Sequence, residues 1–180
     1  MQNNALKIGA ELPSFRNLPN VDGKKYSSSD LADADVLVIV FSCNHCPYVQ
    51  AYEQRMITFQ DNYAEKRVKL VAINSNDEVN YPEDNFQEMV KRAAARKFNF
   101  LYLRDVDQTA ATAFGATHTP QFFVFDKKRL LRYSGKMDDN WQHPESAKEF
   151  YLRDAVDAVL AGREVGMPET FSIGCTIKWR

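Results

Sequence analysis

The longest run without polar positions is Val36-Leu37-Val38-Ile39-Val40-Phe41. It is apolar on both faces, which predicts a strand covered on both sides, as at the centre of a parallel sheet. The period then changes. Val49, Tyr52, Met56, Phe59 and Tyr63 recur at steps of three and four, the stripe of a helix buried along one side. VKLVAI, residues 68 to 73, predicts a second strand. Phe86, Met89, Val90 and Ala93 mark a helix over Pro82 to Lys97, and Leu101-Tyr102-Leu103 a short third strand. Asp107 to Phe114 reads as a helix capped by Asp107 and ended by Gly115. QFFVFD and RLLRYSG flank Lys127-Lys128 as an antiparallel hairpin, and a last helix, Pro144 to Ala161, stops at Gly162.

The first 31 residues are rich in turn formers. Asp22-Gly23 predicts a small hairpin, and Ser28 or Ser29 can cap a helical turn through Leu31. Residues 163 to 180 show no clear period. The order of elements is hairpin, β, α, β, α, β, α, β, β, α. It predicts one α/β domain over residues 1–180, with a central mixed sheet flanked by helices. Residues 1–31 form an N-terminal β-hairpin extension and 163–180 a tail packed on the core, held there by Phe171 and Trp179.

Composition adds mainly exclusions. The chain is 44% hydrophobic and 26% charged, an ordinary globular balance. With 23 basic and 24 acidic residues, it gives no electrostatic reason to bind nucleic acid or an anionic membrane. No apolar stretch approaches ~18 residues, and MQNNALKIGAELPSF lacks the charged and apolar regions of a secretory signal. With Met1 as the native start, a cytoplasmic protein is expected. Three cysteines do not make a disulfide framework.

Two of those cysteines stand in FSCNHCPYVQ, residues 41 to 50, where the central strand stops. Catalytic groups of open α/β sheets lie beyond the carboxyl ends of strands. A helix beginning there offers unpaired N–H groups and a partial positive charge. Both favour a thiolate, so the Cys43 pKa is expected below the free value of about 8.5. His45 can add to this effect. Cys46, three residues on, is close enough to join Cys43, and such a pair exchanges disulfides. Pro47 disfavours a helical Cys46, so regular helix is expected from Pro47. Downstream, Thr119-Pro120 at a strand start is a candidate cis bond, and it would leave the Thr119 backbone free to bond an extended substrate.

The opening GAELPSFRNLPNVDGKKYSSSDL, the strand-end CNHCPYV, the GATHTPQFFVFD block and the closing FSIGCTIKWR together span nearly the whole chain. With them the chain resembles thioredoxin-fold proteins. It is most similar to the peroxiredoxin-like branch of the alkyl hydroperoxide reductase and thiol-specific antioxidant superfamily. The resemblance implies a thioredoxin-like fold, Cys43 as the attacking cysteine, Cys46 as the resolving one and Pro120 as the cis-proline. It also marks departures. Peroxiredoxins resemble one another in a proline and a threonine or serine where this chain has Val36 and Val40. Thioredoxins usually keep a buried aspartate where it has Leu37. His45, His118 or water are left as proton acceptors for Cys46. A histidine before the second cysteine is similar to the oxidising DsbA-type motif, and the expected potential is roughly −240 to −150 mV.

The expected function is a thiol–disulfide oxidoreductase. Cys43, Cys46 and His45 carry the chemistry, and His118, Thr119 and Pro120 line the substrate. The partners are a disulfide-bearing protein or small thiol and a thiol reductant, with no tightly bound cofactor. A peroxiredoxin-like hydroperoxide reductase is the alternative. Another class is copper or zinc binding by Cys43, Cys46 and either His45 or His118. Cys175 is expected to be a small buried residue rather than a third redox cysteine. His143 reads as a loop residue at a helix start, and Glu53 as too far along the helix to act on Cys43.

Overall fold

The structure is a computed structural model and describes residues 5–180. Strands β1 (Leu18–Pro19) and β2 (Lys25–Tyr26) pair antiparallel about Asp22-Gly23, as the turn residues predict. The next helical turn, Ser28–Leu31, is capped by Ser27 rather than Ser28 or Ser29. The reason is a reciprocal pair: Ser27 N–H donates to Asp30 Oδ2 at 2.7 Å, closing a capping box.

Strand β3 (Val36–Phe41) is buried at every residue and leads into helix α1 (Pro47–Tyr63). There follow β4 (Val68–Asn74), α2 (Phe86–Arg96), β5 (Leu101–Arg104) and α3 (Thr109–Phe114). The chain continues through β6 (His118–Thr119), β7 (Gln121–Phe125), β8 (Leu131–Gly135), α4 (Tyr151–Leu160) and β9 (Cys175–Thr176). Five strands form one mixed sheet in the order β5-β4-β3-β7-β8. The β3–β4 and β4–β5 pairs are parallel; β7 runs antiparallel to β3, and β8 to β7.

The strand alternation sends Val36, Val38 and Val40 to one side, against Met56 of α1, Met89 of α2 and Val156 of α4. Leu37, Ile39 and Phe41 face the other side, against Phe15, Ala111 and Phe114. Two cores, one per face, are why β3 carries no polar residue. Across the helix layer, buried Glu53 of α1 takes Arg92 Nε and Nη2 and also Arg96 Nε, tying α1 to α2.

Three expectations change. The helix predicted over Pro82 to Lys97 is broken. Pro82–Asp84 is a separate 3-10 turn, and α2 starts after Asn85, whose side chain accepts Glu88 N–H at 2.9 Å. The cap of α3 is Asp105, which accepts the N–H groups of Ala110 and Ala111 at 3.2 and 3.0 Å; Asp107 bonds only within its own turn, to Thr109. The last helix is also two pieces, Pro144–Ser146 and α4, with an extended Ala147 after the first. Among the described residues no helix is long and apolar enough to cross a membrane.

The tail docks by other means than predicted. Phe171 is 92% exposed and Trp179 is 46% exposed, whereas Ile177 is buried. Backbone bonds complete the attachment: Ile177 N–H to Thr117 O, Asp77 N–H to Lys178 O and Lys178 N–H to Asn76 Oδ1, all 2.8–2.9 Å.

Candidate active site

Beyond β3, Ser42 N–H still bonds Ile73 O at 2.8 Å. Cys43, Asn44 and His45 then cross to the head of α1. Asn44 fixes this loop from inside the protein. Its N–H donates to Asp84 Oδ1 at 2.6 Å and its Nδ2 to Glu83 O at 2.9 Å, while its Oδ1 accepts Tyr102 Oη at 2.8 Å. Cys46 is the N-cap of α1, extended at φ −71° and ψ 123°, with Pro47 in the first helical position. Proline thus decides which sulfur meets the helix mouth, and it is that of Cys46. Both sulfurs are enclosed; Cys43 is 2% exposed and Cys46 fully buried.

The Thr119–Pro120 peptide bond is cis. Thr119 faces both cysteines: its Oγ1 lies 3.5 Å from Cys43 Sγ and its carbonyl oxygen 3.4 Å from Cys46 Sγ. Its backbone is not free for a substrate, contrary to expectation. Strand β9 pairs antiparallel with β6, with Thr119 opposite Cys175. A Cβ on Gly174 would lie 2.1 Å from Thr119 O, so only glycine lets the tail come this close. Cys175 is half-buried, and its Sγ is 2.7 Å from Cys46 Sγ. None of the three cysteines is in a disulfide here.

His45 Nδ1 lies 2.6 Å from Oδ2 of fully buried Asp84, and the ring stacks on Tyr81. Despite this closeness, His45 Nδ1 makes no hydrogen bond. Asn76 Nδ2 donates to the same Oδ2 at 2.8 Å. His118 bonds through Nδ1 to Thr117 Oγ1 at 2.8 Å, turned to its own loop. His143 is exposed beside Glu145, as a loop residue should be.

The charge distribution differs from the expectation of an acidic Cys43. Cys46 is the acidic thiol, lowered to about 4. The Cys43 S–H is the largest cause, and the Cys175 S–H is a further donor. The N–H groups of Val49 and Cys175 also face this sulfur; Val49 approaches it without closing a capping hydrogen bond. Cys43 is pushed up by its bond to Cys46, by burial and by the charge of Asp84, and only the Thr119 hydroxyl opposes this. Cys175 is raised to about 11 by burial and by the neighbouring Cys46 sulfur. Cys43 and Cys175 thus favour ionised Cys46, whereas burial and the Thr119 carbonyl at 3.4 Å favour its protonated form.

The expected metal set of Cys43, Cys46 and a histidine does not assemble. Among the described residues, the group able to hold an ion is Cys43, His45 and Asp84, whose ligand atoms lie within 4.8 Å of one another. Thiolate, imidazole and carboxylate are ligand types that suit zinc.

Sequence reading missed Asp84, Asn44, Tyr102 and the part played by Cys175. Asp84 is brought to Cys43 only by tertiary folding, across 41 positions of chain. Cys175 carried a signal: with Ile177 it forms an inward-facing alternation in GCTIKW.

The AhpC/TSA family pattern matches residues 8–134. No curated protein matches the chain in sequence. Among solved structures, a hypothetical protein of Sinorhizobium meliloti 1021 is 36% identical, with 98% of this chain and 96% of that one covered and a TM-score of 0.90. An uncharacterized conserved protein of Geobacillus kaustophilus is 38% identical, with 98% and 94% covered and a TM-score of 0.90. A thiol:disulfide interchange protein of the thioredoxin family from Chlorobium tepidum TLS is 18% identical, with 87% and 99% covered and a TM-score of 0.66. That last likeness is one of fold, and the fold is thioredoxin-like.

Proposed function

The chain belongs to the AhpC/TSA family and has the thioredoxin-like fold, and from that premise we propose that it is a thiol–disulfide oxidoreductase working through Cys43 and Cys46. The observation that carries this reading is the convergence of both cysteine sulfurs on Thr119, Cys43 at its hydroxyl and Cys46 at its carbonyl, beside cis-Pro120. Passing the Cys43 proton to the Cys46 thiolate makes Cys43 the attacking thiolate. It attacks a substrate disulfide, and one substrate sulfur leaves as a thiolate. Cys46 then gives its proton to that leaving sulfur and attacks Cys43 Sγ, which releases the second substrate thiolate and closes the Cys43–Cys46 disulfide.

Thr119 supports the attacking sulfur through its hydroxyl. His45 is a positioning residue: protonated, it offsets the Asp84 charge that otherwise penalises a Cys43 thiolate. The substrate is a disulfide-bearing protein or small thiol, and a thiol reductant returns the pair to its starting state. A hydroperoxide reductase would need polar groups at the positions of Val36 and Val40. Both are buried among the side chains of the core, where they cannot hydrogen-bond a peroxide. Oxidation of the reduced protein by hydrogen peroxide should be no faster than that of a free thiol.

Cys46→Ser in a Cys175→Ser background tests the main reading. It should accumulate mixed disulfides at Cys43 that survive non-reducing electrophoresis. Recovery of none from a disulfide-bearing substrate would overturn the proposal.

A further inference from the structure

Resting on that reading, we infer that Cys175 is a third redox residue, which takes the disulfide over from Cys43 and closes a Cys46–Cys175 bond. Four observations converge. Cys175 Sγ stands 2.7 Å from Cys46 Sγ, closer than two sulfurs come in ordinary packing. The strand that holds it is fixed on its C-terminal side by Ile177 and by the Lys178 backbone bonds to Asp77 and Asn76. On its other side Gly174 fits against the Thr119 carbonyl where no other residue would. Finally, Cys175 lies opposite Thr119, beside the cis-proline, at the backbone edge where an extended substrate would pair. The tail thus holds a thiol in the position of a bound substrate.

The step balances without an outside oxidant. After exchange with substrate the protein holds Cys43–S–S–Cys46 and a Cys175 thiol. Cys175 loses its proton and attacks Cys46 Sγ. The Cys43–Cys46 bond breaks, the Cys46–Cys175 bond forms, and Cys43 leaves as a thiolate that takes up a proton. One disulfide and one thiol are present before and after.

The consequence is a change of place. Cys43 and Cys46 are enclosed, whereas Cys175 is half-buried. Moving the bond to Cys175 places one of its sulfurs on the most exposed of the three cysteines. Attack on Cys175 Sγ then expels Cys46, the most acidic sulfur of the three and so the best leaving group. The buried pair would take the disulfide from substrate, and the outer sulfur would return it to the reductant.

Three cysteines with one disulfide leave one thiol, and the identity of that thiol decides the matter. The wild-type protein is oxidised with one equivalent of glutathione disulfide, quenched in acid, alkylated in denaturant and mapped by mass spectrometry. At least half the label is expected on Cys43. Less than a tenth on Cys43, with the remainder on Cys175 or Cys46, would overturn the inference. The single variants separate it from the function proposed above. Cys43→Ser should still close an internal disulfide, and its failure to do so, with circular dichroism unchanged, sinks the role of Cys175 alone. Cys175→Ser should close Cys43–Cys46; failure there sinks the parent reading instead.

Discussion

Titration of the reduced protein should reveal one thiolate, that of Cys46, persisting to about pH 4. At pH 7 a sulfur of that acidity is about 99.9% ionised and a free thiol about 3%, a roughly thirtyfold difference. Ultraviolet absorbance of the thiolate, followed against pH, reads this directly. Cys43→Ala removes the largest lowering influence, and Cys175→Ala the next of the sulfur donors, so the midpoint should rise in both and more in the first. The same shift sets the pH dependence of stability. The folded-state pKa of Cys46 is depressed, so its contribution is fully present above the unfolded value of about 8.5 and is lost as pH falls towards 4. Cys43 and Cys175 are raised and act oppositely, but only at alkaline pH, where the unfolded chain would ionise them. Stability of the reduced protein should therefore climb from pH 4 to about 8.5 from this source and fall beyond it. A wild-type thiolate signal with a midpoint near 8.5, or one that survives Cys46→Ser unshifted, would refute the reasoning.

Other consequences can be measured separately. Asp84→Asn keeps the bond to Asn44 N–H but removes a charge within 4.8 Å of the Cys43 sulfur, which at an effective dielectric of about 20 amounts to at least ~3.5 kcal/mol. Mixed-disulfide formation at Cys43 in the Cys46→Ser, Cys175→Ser background should accelerate at pH 7; a slower reaction would make Asp84 a required base instead. Gly174→Ala drives a methyl group into the Thr119 carbonyl, so β9 must lift away. Native-state alkylation of Cys46 should then rise at least tenfold, and an unchanged rate would mean that the tail does not cover it. Glu53→Gln unpairs Arg92 and Arg96 across the α1–α2 contact. Because both arginines reach solvent, a loss of about 2–3 kcal/mol in urea unfolding is expected, below the ~3–5 of a fully enclosed pair, with the thiolate titration unmoved. Stabilising the Cys46 thiolate favours the reduced form, so the potential of the Cys43–Cys46 pair, measured against glutathione in Cys175→Ser, should lie above the thioredoxin value of about −270 mV.

The strands and their order were legible because each rests on a short-range pattern. Apolar runs of six residues in β3 and four in β4 favour a position covered on both faces, and the apolar positions of the α1 stripe are the buried ones. Helix starts were less legible, since several polar side chains compete for the same N–H groups. Asp105 and Asp107 both precede α3, and which of them caps it depends on where β5 releases the chain. Asn85 breaks the second helix for a similar reason, and the break turns Asp84 inward to meet Asn44 and His45.

Within the site, the cysteine pair and the cis-proline could be read from local spacing, but the division of charge between the sulfurs could not. It follows from a detail the sequence did contain: Pro47 at the first helical position makes Cys46 the cap, and so hands it the helix mouth that a strand-end argument had given to Cys43. The tail is the opposite case. A strand of two residues has too little length for periodicity, and its backbone is held by groups far away in the sequence, among them the Asn76 and Gln108 side chains. Only Gly174, Cys175 and Ile177 betray it: a residue without a side chain where two backbones touch, a thiol facing in, and an apolar anchor two positions on. Each is unremarkable alone. Together they describe a strap shaped to fit Thr119, and a strap that merely closed the fold would have no need to place a sulfur 2.7 Å from the most acidic thiol in the protein.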